Sequence, residues 1–183
     1  MGLTLADSYY LKAKAASQGF HSDWEEVCES LNYALSYDET HCASLCLLGE
    51  VYARYLSMPT EAYACFDKVI AADTNYHEVY YLYIKYLIWN KELERAEKLV
   101  AFAETIPNSS KAQLQWLSSY IEEVRGNYDA CLKTLKEAKK HCYNDGYFDF
   151  IEEEEKRIKK KMKLEKPAKP KKKCKKGKKA SKK

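Results

Sequence analysis

The chain has 183 residues, a formal net charge of +4 and 46% hydrophobic residues, enough to close one folded core. Only 6 Gly and 4 Pro are present, which disfavours a sandwich, a barrel or a glycine-loop nucleotide fold. No apolar stretch approaches the roughly 18–20 residues that span a bilayer, and the first residues do not read as a secretory leader. We therefore expect a helical, soluble and cytoplasmic protein, with a nuclear location as the alternative in a eukaryote.

The charge is unevenly distributed along the chain. Residues 156–183 hold 17 basic residues and one acidic residue, whereas residues 1–155 hold 14 basic and 26 acidic residues. Residues 164–183 have too little apolar surface to offset their ordering entropy, so this Lys-rich tail is predicted to be disordered. It suits nucleic acid or an anionic surface, or it solubilises the chain or folds back on the acidic body. The candidate polyanion-binding residues are Lys171, Lys172, Lys173, Lys175, Lys176, Lys178 and Lys179.

A repeat of about 34 residues runs through the rest of the chain. Four segments carry a slim residue, a larger apolar residue four positions on, and a slim residue three positions further. The four triplets are Val27, Leu31 and Ala34; Ala62, Phe66 and Val69; Ala96, Val100 and Ala103; and Cys131, Leu135 and Ala138. This spacing places each triplet on one face of a helix. A second helical run precedes each triplet, which predicts one helical hairpin per unit.

The second unit resembles the tetratricopeptide repeat consensus. It has Leu48, Gly49 and Tyr52 in its first helix, then Ala62 and Phe66 in its second. The resemblance extends over four units and implies an all-α, tetratricopeptide-type α-solenoid of antiparallel helix hairpins, in which each hairpin stacks on its neighbour.

The resemblance also sets the expected domain layout. The repeat domain is predicted over residues 1–146, with units at about 5–38, 40–73, 75–107 and 109–142. A charged C-terminal capping helix is predicted over residues 147–163. We expect this helix to dock by its first turns and then to run out into solvent towards the tail.

In this family the first helices of successive units line a concave groove, and the resemblance implies that the groove binds a peptide or helix of a partner protein. Transferring the groove positions onto this sequence gives a mixed surface with an apolar middle. These positions are Leu11, Ala15, Cys46, Glu50, Arg54, Tyr80, Ile84, Leu87, Gln115, Ser119 and Glu122. A clamp for the acidic tail of a heat-shock chaperone is not expected, because Glu50 and Tyr81 replace residues that it needs. An apolar or aromatic segment across Tyr80 and Ile84 is predicted instead.

The sequence offers little for catalysis or metal binding. Cys42 and Cys46 lie one helical turn apart beside His41, but no Cys-x-x-Cys pair occurs among the seven cysteines. No histidine adjoins a nucleophile in a recognisable pattern, and no phosphate-binding glycine motif is present. We therefore predict no metal, no cofactor and no enzymatic activity.

Three functional hypotheses follow. The leading one is a non-enzymatic scaffold or adaptor that holds a partner segment in the concave groove. The second is a nucleic-acid-associated or ribosome-associated protein that binds through its Lys-rich tail, and its affinity should fall steeply with salt. The third is a tetratricopeptide-type chaperone that uses the same groove for a client. Self-association stays open under all three.

Overall fold

A computed structural model describes residues 2–18 and 23–165. These residues form helices only, in packed antiparallel pairs that confirm the predicted all-α solenoid. The helices are α1 (Leu5–Gln18), α2 (Trp24–Tyr37), α3 (Cys42–Arg54), α4 (Pro59–Ala72), α5 (Glu78–Trp89), α6 (Leu93–Ala103), α7 (Lys111–Val124), α8 (Tyr128–Lys140) and α9 (Asp145–Glu165). The predicted binding residues of the tail lie outside the described residues.

The four hairpins are α1 with α2, α3 with α4, α5 with α6, and α7 with α8. Every member of the four predicted triplets on the second helices is buried, with Val100 the most exposed at 7%. Because these residues recur at every helical turn on one face, each second helix packs this apolar face into the core. The first helices α1, α3, α5 and α7 pack side by side in chain order.

The turns inside the last three hairpins contain residues with backbone in the left-handed region. Ser57, Lys91 and Gly126 have φ of 55°, 63° and 80°. At Lys91 and Gly126 the next N–H reaches back five residues to a helix carbonyl, at 2.9 Å in both cases, which ends the first helix. Pro59 begins α4 at its first turn, as predicted from the sequence.

The main core lies at the middle of the solenoid, between the second and third units. Gly49 of α3 faces the ring of Phe66, and a Cβ atom built at Gly49 would stand 2.5 Å from its Cε1 atom. Phe66 is fully buried, and its ring centroid lies 5.2 Å from that of Tyr83 and 6.1 Å from that of Tyr86. The glycine of the repeat consensus is therefore required for this close approach of the helices.

Helix α9 begins at Asp145, and it docks over more of its length than the sequence suggested. Ile151 and Ile158 are fully buried, and Met162 also packs against the cluster formed with α8. The hydroxyl of Tyr128 donates to Oε1 of Glu165 at 2.6 Å. The expectation that only the first turns dock is therefore wrong. An apolar residue recurs every seven or four positions on one face, so contact with α8 continues to the last described turn.

Candidate partner-binding surface

The first helices of the units build one surface that carries two pockets. The first, called here the N-terminal pocket, lies between α1, α3 and α5 and has a volume of about 380 Å³. Leu47, Val51 and Leu82 form its apolar floor, and rings stand around the floor. These rings belong to Tyr10, Trp24, Tyr55 and Tyr76. A cavity of this size holds a large side chain with its neighbouring backbone.

Two cations, Lys14 and Arg54, line the N-terminal pocket together with two carboxylates. These carboxylates belong to Glu50 and Glu78, and neither cation is paired with them. Nζ of Lys14 lies 5.6 Å from the ring centroid of Tyr10, and the guanidinium carbon of Arg54 lies 5.3 Å from that of Tyr55. Among the described residues neither cation forms an ion pair within 4.0 Å. Both side chains are largely exposed, so their charge is available to a ligand that enters the pocket.

The second pocket, called here the C-terminal pocket, lies between α5, α7 and α9 and has a volume of about 340 Å³. Its lining combines three aromatic side chains with three cations and two carboxylates. These residues are Trp89, Trp116, Tyr120, Lys85, Arg157, Lys161, Glu123 and Glu154. Trp89 is 49% exposed, which makes it the most accessible ring of the pocket.

The carboxylates of the C-terminal pocket are already neutralised by α9. Glu123 is only 8% exposed and accepts hydrogen bonds from Arg157 at 2.6 Å and from Lys161 at 2.5 Å. Glu154 accepts from Arg157 at 2.7 Å. Burial raises the pKa of Glu123, but the hydrogen bonds from the two cations outweigh burial, so its pKa lies below the ordinary value. This network ties the end of α7 to α9.

An ion pair between Glu50 and Lys85 separates the two pockets. Nζ of Lys85 lies 3.7 Å from Oε1 of Glu50, which also accepts from the hydroxyl of Tyr86 at 3.2 Å. The Lys85 side chain is 15% exposed and lies 5.2 Å from the ring centroid of Trp89. Burial lowers the pKa of Lys85, and the charge of Glu50 opposes this shift. Lys85 therefore already contacts the carboxylate of Glu50 and the ring of Trp89.

The structure places the predicted groove residues in different environments. Cys46, Glu50 and Arg54 line the N-terminal pocket. Leu11 and Ala15 are exposed on α1 but lie outside both pockets. Gln115 donates to Glu104 at 3.2 Å, and Glu122 pairs with Arg125 at 3.2 Å.

Five of the predicted groove residues are buried: Cys46, at 6%, still lines the N-terminal pocket, and burial corrects the assignment of the other four. Tyr80, Ile84 and Leu87 are at most 1% exposed and belong to the main core, and Ser119 is 2% exposed. The hydroxyl of Tyr80 donates to the carbonyl of Thr74 at 2.7 Å. None of these four side chains is accessible to a partner in this conformation.

The physical reason is the length of the turn inside each hairpin. Four residues separate α3 from α4, but three separate α5 from α6 and α7 from α8. The predicted positions Tyr80 and Ile84 lie 16 and 12 positions before Ala96, which is the spacing of Cys46 and Glu50 before Ala62. Gln115 and Ser119 have the same spacing before Cys131. With the shorter turn, the residues at the pocket surface lie one position later: Tyr81, Lys85, Trp116 and Tyr120.

The sequence did contain a signal for the correct positions. The buried slim residue of each second helix serves as a reference point. Counting backwards from it, with the turn length allowed to vary, gives one equivalent buried position on each first helix: Ala13, Gly49, Ile84 and Ser119. The residue that follows each of them then faces the surface. The aromatic and basic residues of the C-terminal pocket emerge from this count, except those supplied by α9.

A Ser, a His and an Asp come together at the first unit boundary. Nδ1 of His41 lies 2.7 Å from Oγ of Ser44, and Nε2 lies 3.1 Å from Oδ1 of Asp7. The backbone N–H of Ser44 also donates to Nδ1, so His41 caps the start of α3. Ser44 is fully buried, so its hydroxyl cannot reach a substrate. This trio links α1 to α3 and was not foreseen from the sequence.

The described cysteines are free thiols, and three of them, Cys46, Cys65 and Cys131, are buried. Burial raises the pKa of Cys46 to about 12, which keeps the thiol protonated and unreactive. In residues 2–18 and 23–165 no group of three or more Cys, His, Asp or Glu side chains is arranged to hold a metal ion.

The comparisons with known proteins give a structural likeness only. No family profile matches the chain, and no curated protein does. Two crystal structures of MamA are similar, one with a TM-score of 0.59 and 17% identity over 91% of this chain and 98% of that chain. The other has a TM-score of 0.56 and 16% identity over 90% and 98%.

Within the described ranges no helix is long and apolar enough to cross a membrane. The helical hairpins and the likeness to MamA together show the fold: the chain is a tetratricopeptide-like α-solenoid.

Proposed function

We propose that the chain is a protein-binding adaptor whose N-terminal pocket holds a segment of a partner protein. The segment places a large apolar side chain on the floor formed by Leu47, Val51 and Leu82. An acidic side chain beside it contacts Lys14 and Arg54. The observation that carries this proposal is the presence of two exposed cations that form no ion pair in the described chain, beside the apolar floor of a pocket whose two carboxylates are not paired with them.

The chemistry of the pocket supports a peptide more than a small solute. Its rings and aliphatic side chains offer broad contact area at low entropy cost, as in many protein interfaces. Its charged groups lie at the rim, where they contribute to specificity and association rate more than to affinity. The ligand is therefore expected to be short, acidic and aromatic or aliphatic at one position.

The test is a selection of random peptides displayed on phage against the full chain. We expect the enriched peptides to share an Asp or Glu within a few positions of an aromatic or large aliphatic residue. Calorimetry on a selected peptide then compares the wild-type chain with Arg54→Glu, which should weaken binding by about tenfold or more. Lys136→Glu makes the same charge change on an exposed position of α8 and should leave the affinity unchanged.

Two results would contradict the proposal. One is an enriched set without acidic residues. The other is a peptide that binds wild-type and Arg54→Glu chains equally. Leu82→Arg provides a second check, because a charged side chain on the pocket floor should remove binding without touching the rim cations.

A further inference from the structure

The C-terminal pocket carries near-parallel aromatic rings. The ring centroid of Trp116 lies 6.0 Å from that of Tyr120 and 6.1 Å from that of Tyr81, with the rings of each pair inclined by about 25°. Trp89 stands beside them with about half of its surface exposed. A row of near-parallel rings in an open groove is suited to stacking of flat ligands.

Cations surround these rings on two sides. Lys85 comes from α5, and Arg157 and Lys161 come from α9. Glu123 and Glu154 accept hydrogen bonds from the α9 cations, which neutralise their negative charge. The pocket therefore combines aromatic faces with a neutral to positive wall.

The positive charge continues along α9 beyond the pocket. Residues 156–165 hold six basic residues and one acidic residue, and residues 166–183 hold 11 Lys and no acidic residue. Lys160 and Lys163 are exposed and form no ion pair among the described residues. Lys160 stands three positions after Arg157 and so lies near it on the helix surface, which extends the positive charge beyond the pocket. A polyanion with flat groups at regular spacing fits this arrangement.

We propose that the C-terminal pocket and α9 bind single-stranded nucleic acid, with a base stacked on Trp89 and the following phosphates against Lys160 and Lys163. A single strand is favoured over a duplex because duplex bases are already stacked and paired and cannot reach a side chain inside a groove. The cations of α9 attract phosphates of any sequence, whereas the rings select unpaired bases. This activity uses a different pocket from the peptide site and is independent of it.

The test measures binding of the full chain to a fluorescein-labelled oligo(dT) of about 12 nucleotides by anisotropy. Tryptophan emission is followed in parallel with the unlabelled oligonucleotide. We expect binding, quenched tryptophan emission, and weaker binding of a duplex of equal length. Trp89→Ala should weaken binding at least about fivefold and remove most of the quenching, because stacking on one base is lost. Trp89→Phe keeps a ring and should retain most of the affinity.

Two matched controls separate the site from general charge and folding effects. Tyr37→Ala removes an equally exposed ring from α2 at the opposite end of the molecule and should change nothing. The double variant Lys160→Glu with Lys163→Glu should weaken binding of the oligonucleotide. The double variant Lys133→Glu with Lys136→Glu changes the net charge equally, but on α8, and should weaken binding less.

The proposal is overturned if Trp89→Ala binds oligo(dT) as the wild-type chain does, since the basic tail alone then explains the affinity. Equal affinity for the duplex, or for poly-glutamate as a protein-like polyanion, overturns it as well.

Discussion

The two pockets on the first-helix surface are built alike and are charged differently. Both lie between first helices, and both contain cations and carboxylates beside aromatic rings. In the N-terminal pocket Lys14 and Arg54 have no acidic partner in the described chain, whereas in the C-terminal pocket Glu123 binds Arg157 and Lys161. The paired charges of the C-terminal pocket hold α9 to α7, whereas the unpaired charges of the N-terminal pocket are available to a ligand.

Helix α9 is the origin of this difference. It packs against α8 and reaches α7 through side chains, and it brings its own cations to Glu123. The first unit has no such neighbour on its outer side within the described residues.

The largest effect is expected for Phe66→Ala. Phe66 lies between α3 and α5, behind the ion pair that divides the pockets, and it is fully buried. Its truncation should lower the free energy of unfolding by about 3–5 kcal/mol, measured by urea denaturation. Phe102→Ala, at a ring that is 44% exposed, serves as the control and should cost much less. Similar losses for both variants would contradict the assignment of Phe66 to the core.

Glu123→Gln should affect the C-terminal pocket alone. It leaves Arg157 and Lys161 without their shared carboxylate, and because both cations are partly solvated the loss should be about 1–2 kcal/mol in unfolding free energy. Hydrogen exchange of α9 amides should accelerate, while binding of a selected peptide in the N-terminal pocket should not change. Unchanged exchange in α9 would show that the network does not hold this helix.

The same carboxylate predicts a pH dependence. The folded-state pKa of Glu123 is below its ordinary value of 4.5, so its stabilisation is present above that pH and is lost as the pH falls through the folded-state pKa. The difference in unfolding free energy between the wild-type and Glu123→Gln chains should therefore shrink below about pH 4.5. A difference that is constant or grows on acidification would contradict the ion network.

His41→Ala should affect the N-terminal side alone, and more weakly. It removes the cap of α3 and the link to Asp7, with an expected loss of about 1 kcal/mol in unfolding free energy. His41→Asn can still cap the helix but loses most of the reach to Asp7, so it should recover part of the loss. Equal stability of the Ala and Asn variants would mean that the cap contributes nothing.

The smallest effect is expected at the boundary between the pockets. Lys85→Met combined with Glu50→Gln removes both charges of the ion pair, so neither partner is left as an uncompensated charge. We expect the unfolding free energy of this double variant to change by less than about 1 kcal/mol, since the amide that replaces the Glu50 carboxylate still accepts the hydrogen bond from Tyr86. A loss of several kcal/mol would show that the ion pair stabilises the junction of α3 and α5.

The sequence predicted the fold far better than it predicted the surface. The triplets on the second helices are set by burial alone, so Val27, Phe66, Ala96 and Cys131 could be identified by periodicity and all are buried. The surface positions depend in addition on turn length, and one residue more or less rotates a helix face by about 100°. Because of this rotation, the prediction named the buried residues Tyr80 and Ile84 instead of their accessible neighbours.

Contacts between distant segments were beyond the reach of the sequence. The repeat pattern ends before α9, so nothing in it indicated that Arg157 pairs with Glu123. In the same way, the contact between Asp7 and His41 joins two units that the pattern treats separately.

The most direct test is a crossed binding experiment with two variants and two ligands. Arg54→Glu and Trp89→Ala are each titrated with a selected acidic peptide and with oligo(dT), beside the wild-type chain. The division of the surface predicts that Arg54→Glu loses the peptide and keeps the oligonucleotide, and that Trp89→Ala does the reverse. If either variant loses both ligands while remaining folded, or if neither loses any, the two pockets are not separate binding sites.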